Sequence, residues 1–370
     1  MVPNVVPKLA KLGFEVVVEK GAGAAAGYTD DAYAAKGATL GSAADALGCE
    51  LVIAINVPDW GAMAAGQMLA CIADPFRDTA RVSAMAAAGL TLFSMDMIPR
   101  RLSRAQSMDV NSSQDNLAGY KAVLLGAAAV ACMIPMMMTS AGTVKPAKYV
   151  VMGAGVAGLQ AIATAKRLGA VVWASDVRLA AKEQIESLGG KFIAVEGMED
   201  FEDESGYAKP LTPEFIQKVN DTVCEVARDA DVVVTTARLF GRPAPITVPA
   251  SAVEAMKPGT VVVDMNTASG GNCELSVAGE TVVKHGVTII GEANLPGTVP
   301  HTASLFYANN LASFAAALVS DGKLAPDFED EILVGALQGD AFHVPEMGGV
   351  LVAHAGEIHA AQSRLREVAG

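Results

Sequence analysis

Histidine is missing from most of this chain: all five copies, His285, His301, His343, His354 and His359, fall late, and none precedes a glycine-rich motif at 153–158. The residue most used for proton transfer near neutral pH is therefore absent from that long first stretch. Cysteine is also scarce and scattered. Cys49, Cys71, Cys132, Cys224 and Cys273 show none of the close pairing of a zinc site or a disulfide framework and read as buried thiols in a reducing cytosol, so no metal site is expected. Aromatics make up only 5% of the residues, and basic side chains number 27 against 40 acidic ones, a net charge of -13. That balance disfavours nucleic acid or an anionic lipid surface as partner. Residues 1–11 lack the basic, apolar and small-residue succession of a secretory signal. The one long apolar run, 122–138, contains Pro135. At about 17 residues it sits at the short limit for a bilayer crossing and reads as a buried helix, so no direct membrane insertion is expected.

What is present is a large apolar supply: 52% hydrophobic against 18% charged over 370 residues, enough for two domains of ordinary size. Short apolar runs alternate with helical stretches, the pattern of a parallel α/β architecture. A first series has strand candidates at 14–18, 51–55, 68–72 and 90–94, with helices at 30–36 and 79–88 between them. An apolar helical region spans 114–137. A second series then places strands at 149–152, 171–174, 191–195, 232–235, 260–263 and 288–290. Six strands suit a dinucleotide fold. The helical pattern at 303–318 leads the chain back toward the first domain, because the residues beyond it are too few for a core of their own. The expected fold is α/β, with two Rossmann-like domains of parallel sheets. The second, 114–318, is a dinucleotide-binding domain inserted in a discontinuous first domain, 1–113 plus 319–370.

Gly153-Ala154-Gly155-Val156-Ala157-Gly158 is a weak signal alone, since the chain has 36 glycines. Its context strengthens it: the motif follows the run Tyr149-Val150-Val151-Met152, opens a helix that stops before Gly169, and is followed by a strand leading into Asp176. Gly153 permits a tight turn, Gly155 removes a Cβ from the path of a pyrophosphate, and Gly158 lets helix and strand pack closely. The helix N-terminus offers free N–H groups to the phosphates. Asp176 can accept from both adenosine ribose hydroxyls and would repel a 2'-phosphate, which favours NAD over NADP. Arg178 is the complication, because it could receive such a phosphate.

A second polar cluster, Arg100, Arg101, Arg104, Gln106, Asp109, Ser112, Ser113 and Gln114, follows the 90–94 strand, where ligands bind in open α/β sheets. Spacing leaves two readings open: a ligand loop, or a solvated loop with Asp109 or Ser112 capping the next helix.

The sequence of these segments is similar to a known family. Met95-Asp96-Met97-Ile98-Pro99-Arg100-Arg101-Leu102-Ser103-Arg104-Ala105-Gln106-Ser107-Met108-Asp109, Asn116-Leu117-Ala118-Gly119-Tyr120, Pro135 to Thr139, the 153–170 stretch, Gly189-Gly190-Lys191-Phe192 and Gly206-Tyr207-Ala208-Lys209 resemble the alpha subunit of the proton-translocating NAD(P) transhydrogenases, relatives of alanine dehydrogenase. The resemblance covers most of 14–311. It implies a homodimeric NAD(H)-binding component in the cytoplasm, held peripherally at the inner membrane by partner subunits. Hydride would pass to NADP(H) on a separate partner subunit, whose membrane region couples the transfer to proton movement. It further implies that Arg101, Gln106, Asp109 and Ser112 hold the nicotinamide, and that Tyr207 lies on a loop that closes over NAD(H), with Gly206 as hinge. The expected cofactor-binding set is Gly153, Gly155, Val156, Ala157, Gly158, Asp176, Val177, Arg178, Tyr207, Thr236 and Ala237. Hydride transfer between two nicotinamides needs approach and orientation, not an acid or base, which suits a chain poor in histidine.

Several segments depart from the family pattern. Arg238-Leu239-Phe240 stands where aliphatic residues are usual, Asn266-Thr267-Ala268-Ser269 lacks an acidic residue before Gly270-Gly271-Asn272, and Gly297-Thr298 replaces Ser-Arg. The family's first strand would lie ahead of Met1, and the tail beyond 326 matches poorly. Altered affinity is expected. Two other readings remain: an NAD-binding paralogue that does not pass hydride, and alanine dehydrogenase, which needs a histidine and a lysine although 54–72 contains neither.

Overall fold

The computed structural model describes residues 1–99, 102–195, 212–239, 241–335, 349–359, 362 and 365–366. The chain divides into two compact units, residues 1–114 with 299–370, and residues 115–298. The helix Pro300–Ala317 falls in the first unit, whereas the sequence pattern runs the second domain on to 318. Its apolar side chains explain this: Tyr307, Leu311 and Phe314 are buried in one core with Phe93, Met95 and Leu351, and Phe314 meets Phe93 edge to face at 5.3 Å.

The first unit carries a five-stranded sheet in the order Glu357–Ile358, Leu351–His354, Thr91–Ser94, Met68–Ile72, Leu51–Asn56. The last three run parallel, and Leu351–His354 joins antiparallel to Thr91–Ser94. Thus part of the poorly matching tail completes this sheet. The strand expected at 14–18 forms as Val17–Glu19, paired parallel with Thr39–Gly41 in a sheet of its own.

The second unit is built on a seven-stranded sheet in the order Lys191–Phe192, Val171–Ser175, Lys148–Met152, Val232–Thr235, Val261–Asp264, Val287–Ile290, Thr281–Lys284. The first six are parallel, and numbered by their own succession they lie in the order 3-2-1-4-5-6, the doubly wound arrangement of dinucleotide folds. The antiparallel edge strand Thr281–Lys284 is an addition that the sequence pattern does not show. Alternation explains why these runs are almost wholly apolar: Tyr149 and Val151 enter one core and Val150 and Met152 the other, so both faces are covered.

One expectation is corrected. The helix anticipated over 114–137 is Val110–Ala129, and Met137–Thr139 instead pairs with Gly142–Val144 in an antiparallel hairpin. Pro135 lacks the N–H that helix continuation requires. Among the described residues no helix is long and apolar enough to cross a membrane.

Candidate functional site

Reversal of strand order between Lys148–Met152 and Val232–Thr235 puts a topological switch point at their carboxyl ends, where open α/β sheets bind ligands. The glycine motif occupies that point. Gly153 takes φ +103, and a Cβ there would lie 2.4 Å from the Thr236 hydroxyl. Gly155 ends the turn as N-cap of the helix Val156–Arg167, which has no side-chain cap. Its first-turn N–H groups, from Val156, Ala157 and Gly158, therefore find no acceptor within the helix. Among the described residues, a Cβ on Gly155 would meet nothing within 4 Å. The turn is thus an open cradle with backbone donors on one side, a shape and polarity that fit a pyrophosphate. At Gly158 the opposite holds, because a Cβ would sit 1.9 Å from the Gly153 carbonyl oxygen. Helix and turn touch there.

Asp176 follows the strand Val171–Ser175 and its side chain is only 8% exposed. Its Oδ2 accepts from the Ala154 N–H at 2.8 Å, tying it to the glycine turn, and its Oδ1 accepts from the Arg178 N–H at 2.9 Å. The Arg178 guanidinium adds Nε to Oδ1 at 2.9 Å and Nη2 to Oδ2 at 3.1 Å. The carboxylate is therefore already engaged by Arg178, where the sequence suggests an open acceptor for ribose. Val177, between them, is half-buried.

Thr236 and Ala237 leave the neighbouring strand and form the wall of the turn. Thr236 donates from its hydroxyl toward the Met152 and Gly153 carbonyls at 3.1 and 3.2 Å. Behind them lies a network that sequence reasoning missed. Asp264 is wholly buried: Oδ1 accepts from the Thr235 hydroxyl and the Asn266 N–H, and Oδ2 from the N–H groups of Asn272 and Cys273 and the Ser276 hydroxyl. Asn272 and Asn266 both donate to the Ala237 carbonyl, at 2.8 and 3.1 Å, and Asn266 also donates to Asn272 Oδ1. Fixed acceptors and donors thus hold the Thr236–Ala237 segment against the glycine turn. The one signal in the sequence was a carboxylate ending a valine run shortly before Gly270-Gly271-Asn272.

In the first unit, the polar cluster after Thr91–Ser94 forms a 3-10 helix, Ser103–Met108, leading to Asp109 at the N-terminus of Val110–Ala129. Asp109 is buried and accepts from the Ser112 N–H at 2.9 Å and from the Ser112 hydroxyl. The capping reading is realised, and Ser112 turns its hydroxyl to Asp109. Gln106 is exposed. Arg104 makes a two-pronged pair with Asp330 at 2.7 and 2.8 Å. Asn310, unremarked in the sequence, donates to the Ser107 carbonyl at 2.8 Å and accepts from the Ser113 hydroxyl at 2.8 Å. These bonds fix the loop's path from both ends. Close by, Asp96 accepts from the Ser94 hydroxyl and the Ala73 N–H, while burial pushes its carboxyl above the usual range. Arg101 and Tyr207 lie outside the described residues.

Comparison with known proteins gives consistent matches along the chain. Residues 1–118 match the model "Alanine dehydrogenase/PNT, N-terminal domain" and residues 122–344 the corresponding C-terminal domain. A curated relative from Rhodospirillum rubrum, the first of the separate parts of its NAD(P) transhydrogenase subunit alpha, is 48% identical over 347 residues, covering 90% of each chain. The crystal structure of a transhydrogenase from Sinorhizobium meliloti superposes with a TM-score of 0.84 at 44% identity, covering 96% of this chain and 94% of that one. An L-alanine dehydrogenase structure gives 0.75 at 25% identity, covering 100% and 95%.

Proposed function

The chain belongs to the alanine dehydrogenase/PNT family, and from that premise we propose that it is the NAD(H)-binding component of a transhydrogenase, passing hydride between NAD(H) and NADP(H) held by a partner subunit. The observation that carries the reading is the open Gly155 cradle at the switch point of a 3-2-1-4-5-6 sheet. In support stands the 48% identical relative, whose name places it in a transhydrogenase alpha subunit.

In this reading the N–H groups of Val156, Ala157 and Gly158 bind the pyrophosphate, Asp176 takes the adenosine ribose, and Val177, Arg178, Thr236 and Ala237 border the same site. Asp109, Ser112 and Gln106, with Arg101 from the resemblance, orient the nicotinamide. The dinucleotide, when bound, supplies the hydride chemistry itself. The chain's own residues bind and orient, so none of them needs to move a proton. Coupling to proton translocation belongs to the partner in the membrane, at whose cytoplasmic face this chain is placed.

Reconstitution tests the proposal. The full chain, mixed with the NADP-binding subunits of a transhydrogenase, is expected to reduce an NADP analogue at the expense of NADH. Binding of NADH with no turnover would favour the non-catalytic reading, and turnover of NADH with pyruvate and ammonia would favour alanine dehydrogenase. Within this assay, Asp109→Asn is expected to slow hydride transfer by about tenfold while changing NADH affinity less, because the change acts on nicotinamide placement. An effect on affinity alone would remove Asp109 from that role.

The proposal includes a homodimer. On the hairpin, Met138 and Val144 are 75% and 44% exposed, and Met136 beside it is 65% exposed. Apolar side chains left exposed on a hairpin favour burial against another protein surface. Sedimentation velocity is expected to give about twice the mass of the 37.9 kDa chain; the mass of a single chain would refute the dimer.

A further inference from the structure

We propose that the Arg178 side chain is an internal competitor for the ribose-binding carboxylate of Asp176, so that NAD(H) enters the site by displacing a guanidinium. This rests on the reading that Asp176 takes the adenosine ribose, and adds a control on access to that same group.

A carboxylate offers about four lone-pair positions, and at Asp176 four donors fill them. Two are backbone N–H groups, Ala154 on Oδ2 and Arg178 on Oδ1. They belong to the glycine turn and to the chain leaving the strand, and cannot withdraw without opening both. The other two are Arg178 Nε on Oδ1 and Nη2 on Oδ2. They sit on a long side chain that is 27% exposed, whose Nη2 also reaches the Ala154 carbonyl oxygen at 3.4 Å, and their withdrawal is offset when a diol donates to the two positions they leave. A ribose 2',3'-diol needs one acceptor position on each oxygen. Those are the two positions that the guanidinium fork holds. Arginine's paired donors match a carboxylate in the same two-pronged way, so guanidinium and diol are alternative occupants of one acceptor pair. The site is competent for ribose only in the fraction of molecules with Arg178 swung out, and apparent affinity is reduced by that fraction.

Titration of NADH into the full chain, read by nucleotide fluorescence, tests this. Arg178→Ala is expected to bind NADH about three- to tenfold more tightly than wild type. Asp176→Ala is expected to bind it more weakly, and the gain from Arg178→Ala is expected to vanish in the Asp176→Ala background, because the competition needs the carboxylate. Thermal melts of each variant check that the second unit remains folded. Unchanged or weaker binding by Arg178→Ala, alongside the expected loss for Asp176→Ala, overturns the competition while leaving the ribose assignment standing. Unchanged affinity in Asp176→Ala overturns the ribose assignment, and the competition with it.

Discussion

Asp264→Ala is expected to destabilise the second unit by about 3–5 kcal/mol, read as a fall in the urea midpoint with little change in the slope of the transition. The carboxylate is fully buried and accepts from three backbone N–H groups, those of Asn266, Asn272 and Cys273, and from the hydroxyls of Thr235 and Ser276. Removing it leaves those donors in a dry interior, and each buried unpaired donor costs about 1–3 kcal/mol. The loss also reaches the candidate site. With Asn272 and Asn266 released, the Ala237 carbonyl that they hold is free to shift, and NADH affinity is expected to fall even at temperatures where the protein stays folded. A change in stability below about 1 kcal/mol would show that the carboxylate does not organise this corner.

Gly158→Ala is expected to destabilise less and to weaken binding more, by a steric route. The added Cβ would lie 1.9 Å from the Gly153 carbonyl oxygen and 2.8 Å from its carbonyl carbon. Both are backbone atoms, so no side-chain rotation relieves the overlap. The helix Val156–Arg167 must move off the turn, which displaces the N–H groups that face the open space at Gly155. Overpacking of this kind costs about 1–3 kcal/mol, and NADH binding is expected to weaken by about ten- to a hundredfold, the worth of about one hydrogen bond to a charged group. Gly155→Ala provides the contrast, since its Cβ meets no atom of the described residues within 4 Å. It is expected to keep wild-type stability and lose NADH affinity. Equal stability in the two variants would contradict the assigned contact at Gly158.

Much of the second unit was legible in the sequence because its information is local. Runs such as Val232–Thr235 announce buried parallel strands by β-branched composition alone, and the observed elements differ from the expected ones mainly by a residue or two at the ends. The end of the long apolar helix is not legible in the sequence, because methionines and alanines carry similar hydropathy in a helix and on an exposed hairpin. Only Pro135 marked the break, and the pairing of Met137 with Val144 is a tertiary fact. The polar cluster shows the same division. Its charge and position were visible, whereas the partners that shape it, Asn310 on Ser107 and Ser113 and Asp330 on Arg104, lie far along the chain.

The glycine turn is legible from local residues alone, since the demands on Gly153, Gly155 and Gly158 are steric and act within a few residues of a strand and a helix start. So is the α/β class, through apolar runs whose spacing leaves few alternatives. The strand order 3-2-1-4-5-6 that makes the turn a switch point and the attachment of Leu351–His354 to the first sheet come from the folded chain. It alone revealed the engagement of Asp176 by Arg178 and the saturation of Asp264. Hydrogen-bond acceptors have a fixed number of positions, and which donors fill them depends on geometry in three dimensions, where distance along the chain has no meaning.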